Sequence, residues 1–202
     1  MADFIDSLGI PFSSKKQANS NQKIMSAKGA AMMVRKNVFE KLGMFDEKFI
    51  ISFEDVDLGW RCWIYGYEVI LVANSIVYHY GGGTISKTDI DIDFHGAKNH
   101  LIMKLTNFEG NFMWKKIINF LLIYGLRQTR VWIDYKIHGR TGISATKHEK
   151  KISKKPNLKS ILKATIWILK NRNYLKKRMK DISSKRLNST KYLEEKSLIL
   201  PK

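Results

Sequence analysis

The charge and the apolar pattern of the chain both change near its middle. Residues 1–100 carry 11 Lys and Arg against 12 Asp and Glu, whereas residues 101–202 carry 25 against 6. Short apolar runs separated by turn residues fill the first half, as is typical of mixed strands and helices. After Asp93 the apolar residues recur at helical spacing, as at Ala97, Leu101, Leu105 and Phe108. The sequence therefore predicts a charge-balanced α/β part followed by a basic helical part.

The composition excludes several classes of protein. A length of 202 residues suits one domain, or one and a half, and 44% hydrophobic residues are enough to bury a core. The single cysteine excludes a disulfide framework and a thiolate zinc cluster, and it fits a reducing compartment. The acidic residues 1–6 lack the apolar run of a signal peptide, and the longest apolar stretch, 117–126, is interrupted by Asn119 and Gly125. These features predict a cytoplasmic chain without a spanning helix.

Turn residues and periodicity define the expected elements. Asn37 is suited to cap a short helix, and Gly43 and Gly66 are suited to end helices. The expected elements are a buried strand within 24–36, helices at 38–42 and 53–65, strands at 67–72 and 76–80, and amphipathic helices at 112–137 and 158–179. Residues 139–156 are expected to form a flexible loop, and the polar tail after Ser183 is expected to fray.

Three carboxylates, Glu54, Asp55 and Asp57, lie within four positions at the expected start of the second helix. Acidic residues suit the positive end of a helix dipole, which accounts for one or two of them without any catalytic role. They also follow the apolar residues 49–53, and carboxylates crowded beside apolar walls tend to have pKa values pushed apart. A general base requires such an environment, so the sequence leaves both interpretations open.

Several motifs in a fixed order resemble one enzyme family. They are Gly29 with Ala30, residues 35–49, residues 54–58 with Arg61, Gly66 with Tyr67, and residues 77–82. Together they resemble the acceptor-side half of family 2 glycosyltransferases, in the rhamnosyltransferase-like branch with a GT-A fold. The resemblance is strong over about residues 24–85 and continues more weakly through 98–101 and 176–178.

The resemblance implies a role for each matching residue. Asp55 matches the general base that deprotonates the acceptor hydroxyl, and Glu54 matches the partner that shapes the acceptor site. His79 matches a ligand of the Mn²⁺ or Mg²⁺ that holds the donor diphosphate, a role that imidazole can fill. The implied acceptor side also includes Asp57, Trp60 and Arg61, although Trp60 is equally suited to the core. The implied donor side includes Gly29, Ala30, Gly81, Gly82 and Thr84.

The chain departs from the family pattern in one major respect. Family members carry a Rossmann-like nucleotide-binding half with an Asp-x-Asp motif before this region, and this sequence begins after it. The Asp-x-Asp spacing at residues 89–93 follows His79 instead of preceding it, and is read as a solvated loop. We therefore expect an α/β fold, a partial GT-A domain without its nucleotide-binding half, followed by a basic α-helical extension. The expected boundaries are 1–95 for the acceptor-side part, 96–183 for the extension and 184–202 for a flexible tail.

The resemblance implies inverting transfer of a sugar from a nucleotide-sugar donor to a glycan or lipid-linked acceptor, as in polysaccharide biosynthesis. The alternative is a non-catalytic remnant that binds a membrane or a partner chain. A separate chain that supplies the nucleotide-binding half is a further expected partner. The basic helices predict contact with an anionic membrane surface at its inner face. Nucleic acid is disfavoured as a partner because no zinc knuckle, RNP-type aromatic motif or recognition-helix pattern is present.

Overall fold

The structure is a computed structural model of the 202-residue chain. It describes residues 4–6, 9–12, 18–79, 90–110 and 158–200, together with separate helical positions between 115 and 137. The predicted loop at 139–156 lies outside these residues, as does most of the predicted helix at 112–137.

Two small sheets and a set of helices make up the described fold, which confirms the predicted mixture of strands and helices. Strand β1 (Phe4–Asp6) pairs antiparallel with β2 (Pro11–Phe12) and parallel with the last strand, β5 (Ile199–Leu200). Strand β3 (Gln22–Lys23) pairs antiparallel with β4 (Ile70–Leu71). The pairing of Ile5 with Ile199 brings the two ends of the described chain together.

The helices differ in how much of their surface they bury. They are a short 3₁₀ helix (Gly29–Ala31), α1 (Lys36–Lys41), α2 (Glu54–Ile64), α3 (Ile92–Asn107), α4 (Leu158–Lys170), α5 (Arg172–Ser184) and α6 (Thr190–Glu195). Every residue of α2 from Val56 to Ile64 is buried, so this helix lies at the centre of the fold. Helix α3 packs against α2, α4 and α5, and its N-terminus is capped by Asp91, which accepts a hydrogen bond from the Phe94 N–H at 3.0 Å.

One hydrophobic core contains residues from all three predicted parts of the chain, whose boundaries were expected at about residues 95 and 183. Fully buried members include Ile5 from β1, Trp60 from α2, Ile102 from α3 and Leu193 from α6. The predicted acceptor-side part, extension and tail therefore share one core. Within the described residues, no helix combines the length and apolar character needed to cross a membrane.

Several elements differ from the sequence predictions. In place of a buried strand at 24–36, a single bridge at Ser26 is followed by the exposed 3₁₀ helix, because only Ile24, Met25 and Ser26 of this segment are buried. In place of one helix at 158–179, α4 ends before Asn171, whose side chain donates to the Trp167 carbonyl at 2.8 Å. Residues 76–79 form no strand.

The predicted flexible tail is also different, because α6 and β5 are ordered against the core. Its polar composition conceals three buried apolar residues, Leu193, Leu198 and Ile199. Ser189 caps α6 by accepting from the Tyr192 N–H at 3.1 Å. Burial and strand pairing therefore hold a segment whose average hydrophilicity predicts fraying.

Gly59 is where α2 approaches the neighbouring backbone most closely. A Cβ at this position would lie 2.7 Å from both the Met25 carbonyl oxygen and the Ser26 Cα. These are backbone atoms that cannot rotate away, so the close packing of α2 on the residues after β3 requires glycine here. Gly96 in α3 differs, because a Cβ there meets nothing within 4 Å.

The two helical glycines provide a matched test of this packing. We expect Gly59→Ala to lower the free energy of unfolding by about 1–3 kcal/mol through overpacking. Gly96→Ala should instead raise it by about 0.5–1 kcal/mol, since alanine is the better helix former. Urea denaturation of both variants measures the difference. Equal effects at the two positions would contradict the close approach at Gly59.

Candidate active site

The loop before α2 has an unusual backbone conformation. Ser52 and Phe53 are both left-handed, with φ of 70° and 68°. Left-handed backbone in residues other than glycine costs about 1 kcal/mol or more each, and it persists only where surrounding structure holds it. Here the conformation turns the chain so that Glu54 and Asp55 occupy the first turn of α2.

Helix α3 supplies the contacts that hold this loop. The Asn99 side-chain amide donates to the Ile51 carbonyl at 2.8 Å and to the Ser52 carbonyl at 2.7 Å. The next residue, His100, stacks its ring on Phe53 with centroids 5.1 Å apart and contacts the Gly9 carbonyl oxygen through Nε2 at 3.0 Å. The position of the first turn of α2 therefore depends on two adjacent residues of α3.

Gly29 lies directly beside the two carboxylates at the start of α2. Its backbone N–H donates to Asp55 Oδ2 at 2.9 Å. A Cβ at Gly29 would lie 3.8 Å from Asp55 Oδ2 and 3.9 Å from Glu54 Oε1, so the glycine backbone faces both side chains. The structure thus brings Gly29, which the resemblance places on the donor side, next to Glu54 and Asp55, which it places on the acceptor side.

Glu54 and Asp55 are neighbours in different environments. Glu54 Oε2 is buried and has no hydrogen-bond partner among the described residues, whereas the Asp55 carboxylate accepts from the N–H groups of Gly29 and Val56. Burial raises the pKa of Glu54 above its ordinary value, and the nearby charge of Asp55 adds to this shift. The pair therefore combines a carboxyl group that resists ionisation with a hydrogen-bonded carboxylate, an arrangement suited to acid–base chemistry.

Asp57, one turn further along α2, lies in a buried charged cluster. Its Oδ2 accepts from Arg61 Nε at 2.8 Å, and its Oδ1 accepts from Arg178 Nη2 at 2.5 Å and from Asn107 Nδ2 at 3.1 Å. Burial alone would raise the pKa of Asp57, but the charges of Arg178 and Arg61 outweigh it and hold the pKa below its ordinary value. Asp57 is therefore ionised inside the protein.

The same cluster extends to the residues that follow α1. Arg178 also donates through Nη1 to Asp46 Oδ2 at 2.5 Å, and Tyr174 donates to the same oxygen at 2.5 Å. Arg61 donates to the carbonyl oxygens of Leu42 and Met44. The cluster consequently connects α2, α5 and the turn after α1.

The predicted acceptor-binding roles of Asp57, Trp60 and Arg61 do not agree with this geometry. Their exposed fractions are 1%, 0% and 2%, so none of them can contact an acceptor in this structure. Trp60 packs edge-to-face on Phe108 at 4.6 Å between ring centroids. Its indole is a core residue, and the two charged side chains hold the core together from within.

The predicted donor-side residues are only partly described. Ala30 is exposed in the 3₁₀ helix, beside Gly29. Gly81, Gly82 and Thr84 lie outside the described residues. His79 is exposed at the end of a described segment, and within the described part of the chain no three His, Cys, Asp or Glu side chains group as a metal site. The described residues alone therefore do not fit a divalent cation.

Sequence reasoning missed the contributions of Asp46, Asn99 and Arg178. The motif resemblance covers all three residues, but it assigns no contact to any of them. Arg178 stands beside Lys176 and Lys177, and such a basic run is usually a solvated helix face. The sequence did contain a signal for the ion pair between Asp57 and Arg61, because residues at positions i and i+4 of a helix can pair.

One comparison with known proteins found a match. Residues 3–90, a little under half of the chain, match the family described as Glycosyl transferase family group 2. The matched region contains Gly29, Glu54 and Asp55, and the match supports a family 2 glycosyltransferase. No curated protein and no solved structure matches the chain.

The buried cluster predicts a large difference between adjacent basic residues of α5. We expect Arg178→Met to lower the free energy of unfolding by about 3–5 kcal/mol, because it leaves the charges of Asp46 and Asp57 buried without their partner. Lys177→Met is the matched control, since Lys177 is exposed and should change stability little. Chemical denaturation of the two variants measures the effect. Similar stabilities for the two variants would show that Arg178 is not buried against these acids.

The lowered pKa of Asp57 predicts acid destabilisation of a defined sign. Its contribution to stability is complete above its ordinary pKa of 3.8 and is lost as pH falls through its folded-state pKa. The slope of unfolding free energy against pH, measured between about pH 5 and pH 2, should therefore be smaller in Asp57→Asn than in the parent.

Glu54→Gln provides the contrast. Above pH 4.5 this substitution should raise the free energy of unfolding relative to the parent, because the raised pKa of Glu54 shows that the fold disfavours its charged form.

Proposed function

We propose that the chain takes part in transferring a sugar from a nucleotide-sugar donor to an acceptor hydroxyl, with Asp55 as general base. The observation that carries the proposal is the convergence of Gly29, Glu54 and Asp55 within the region that matches the glycosyltransferase family. Asp55 is only half-buried, so an acceptor can approach its carboxylate. The family match alone would not select a base, whereas the local geometry favours this residue.

The proposed reaction is an inverting displacement. The acceptor oxygen attacks the anomeric carbon as its proton passes to Asp55, and the bond from that carbon to the diphosphate oxygen breaks. The products are the glycosylated acceptor and a nucleoside diphosphate. Holding base and acceptor in line with the anomeric carbon supplies much of the rate enhancement, which is why a rigid first turn of α2 matters.

Glu54 is proposed to orient the acceptor. One of its oxygens is buried without a described partner, so it is free to bind an acceptor hydroxyl, and burial raises the pKa of this carboxyl group above its ordinary value. The two carboxyl groups would thus act as a base and an orienting group.

The donor is proposed to approach from the Gly29 and Ala30 side. Small residues there leave the backbone open to a substrate, and Gly81, Gly82 and Thr84 are proposed to lie beside the diphosphate. His79 is proposed as one ligand of Mn²⁺ or Mg²⁺. The described residues supply no complete ligand set for this cation. A nucleotide-binding half, from preceding sequence or a separate chain, completes the proposal, with a glycan or lipid-linked acceptor.

The proposal predicts that Asp55→Asn, which keeps the size of the side chain, removes the base. Transfer should fall by about 10²–10⁴-fold, the usual contribution of a general base, while the affinity for the donor changes little. The measurement is nucleoside diphosphate release from a panel of nucleotide sugars, with a nucleotide-binding half supplied by fusion or as a second chain. Donor affinity is measured in parallel by calorimetry.

Asp181→Asn is the matched control, because Asp181 is exposed on α5 and pairs only with Lys185 among the described residues. It should transfer sugar at the parental rate. A folded Asp55→Asn protein with parental activity would eliminate Asp55 as the base. A parental protein that transfers no sugar from any donor of the panel would favour the non-catalytic alternative.

A further inference from the structure

Helix α4 has apolar residues on two opposite faces. On one face Ala164 is fully buried against α3, in a small cluster with Ala97 and Leu101. On the other, Leu162, Ile166 and Leu169 have exposed fractions of 62%, 42% and 68%. At 100° per residue these three side chains fall within a narrow stripe that points away from the core. A core-packing helix needs only one apolar face, so the exposed stripe requires another explanation.

Basic residues follow one edge of this stripe. Lys159, Lys163 and Lys170 are all exposed and fall on the adjoining strip of the helix surface. We call these three lysines together with Leu162, Ile166 and Leu169 the lysine-edged stripe. Asp91 pairs with one of these lysines, at 3.7 Å from Lys163 and largely in solvent. The stripe therefore combines apolar side chains with a net positive edge.

A shallow hollow of about 380 Å³ continues the stripe toward α3. Its walls are Phe94, Ile166 and Trp167, and its rim carries Asp91, Lys163 and Lys170. Phe94 and Trp167 are also contacted by the buried ammonium group of Lys98, which holds both rings in place. The apolar surface thus extends beyond the three stripe residues, with the lysines still at its border.

A second set of exposed apolar residues has the same character. Residues 118, 122, 126, 133 and 137 are helical and apolar, with exposed fractions from 43% to 70%. Among the helical positions described between 115 and 137, Lys115, Arg130 and Lys136 are exposed as well. Both basic helical surfaces of the rear half therefore expose apolar residues among positive charges.

We propose that the lysine-edged stripe binds an anionic lipid surface. The leucines and isoleucine enter the boundary between headgroups and acyl chains, and the lysines reach the lipid phosphates. Charge complementarity selects this occupant. A second copy of the chain, with a net charge of +18, would bring like charges together along the stripe. Nucleic acid would satisfy the lysines but leave Leu162 and Leu169 in water.

The test is binding of the full chain to vesicles without any sugar substrate, so the result is independent of transfer activity. Vesicles of phosphatidylcholine alone are compared with equal mixtures of phosphatidylcholine and phosphatidylglycerol, at rising salt. The chain should bind only the anionic vesicles, and binding should weaken as salt screens the lysines. Substituting Leu162→Ser with Leu169→Ser, or the three lysines by Gln, should each weaken binding by at least about tenfold.

Matched controls separate the stripe from overall charge and hydrophobicity. Lys28, Lys36 and Lys41 are exposed in the front half, and their replacement by Gln removes the same charge elsewhere. Met33→Ser with Ile76→Ser removes two exposed apolar side chains elsewhere. Both controls should bind like the parent, and melting by circular dichroism checks that all variants fold. The single variant Leu169→Ser serves if the double variant unfolds.

Three outcomes would overturn the proposal. One is equal binding to neutral and anionic vesicles, and another is vesicle binding that survives the leucine substitutions in a folded protein. The third is a different occupant of the stripe. That would appear as a dimer in sedimentation that the same substitutions dissociate, or as binding to duplex RNA that is tighter than binding to anionic vesicles.

Discussion

The fold depends on a buried ionic cluster in which Arg178 bridges Asp46 and Asp57. Asp57 is 1% exposed, and its two oxygens receive bonds from Arg61, Arg178 and Asn107. Removing such charges from water costs several kcal/mol each, and only nearly complete hydrogen bonding offsets that cost. Because each partner comes from a different part of the chain, the cluster can form only when α2, α3 and α5 are in their final positions. It thereby links the family-matched region to the helices that follow it.

The positions of Glu54 and Asp55 depend on these helices through the loop that precedes α2. Asn99 of α3 holds the Ile51 and Ser52 carbonyls, while α3 itself is held to α2 by Asn107 at its other end. The left-handed Ser52 and Phe53 would relax without these contacts. Strain next to a carboxylate pair is consistent with a functional turn, because a relaxed loop would carry Glu54 and Asp55 away from Gly29.

The sequence was most informative where local signals agreed with the tertiary structure. Gly66 and the acidic first turn place α2 within one residue of its observed bounds, and helical spacing identifies α3. The sequence was least informative about which side chains of a helix face the interior and which face the surface. Nearly all of α2 is buried, so no apolar stripe distinguishes the interior from the surface, and Asp57, Trp60 and Arg61 look as accessible as Glu54. Likewise, the tail owes its order to pairing between Ile5 and Ile199, a contact across almost the whole chain that no local pattern reveals.

Two arginines of the basic rear half lie inside the protein, whereas the described lysines of α4 and α5 lie mostly on its surface. Arg178 and Arg186 point inward, where the planar guanidinium group forms several directed bonds: Arg186 reaches the Asn107 carbonyl at 2.6 Å and Glu109 at 3.2 Å. Most described lysines of α4 and α5 are exposed instead. Arginine suits the interior because its fork satisfies several acceptors at once, and lysine suits the surface because its flexible amine stays hydrated. Part of the formal charge of the rear half is therefore buried. The exposed cations of α4 are lysines beside exposed apolar residues, a composition better matched to lipid headgroups than to nucleic-acid bases.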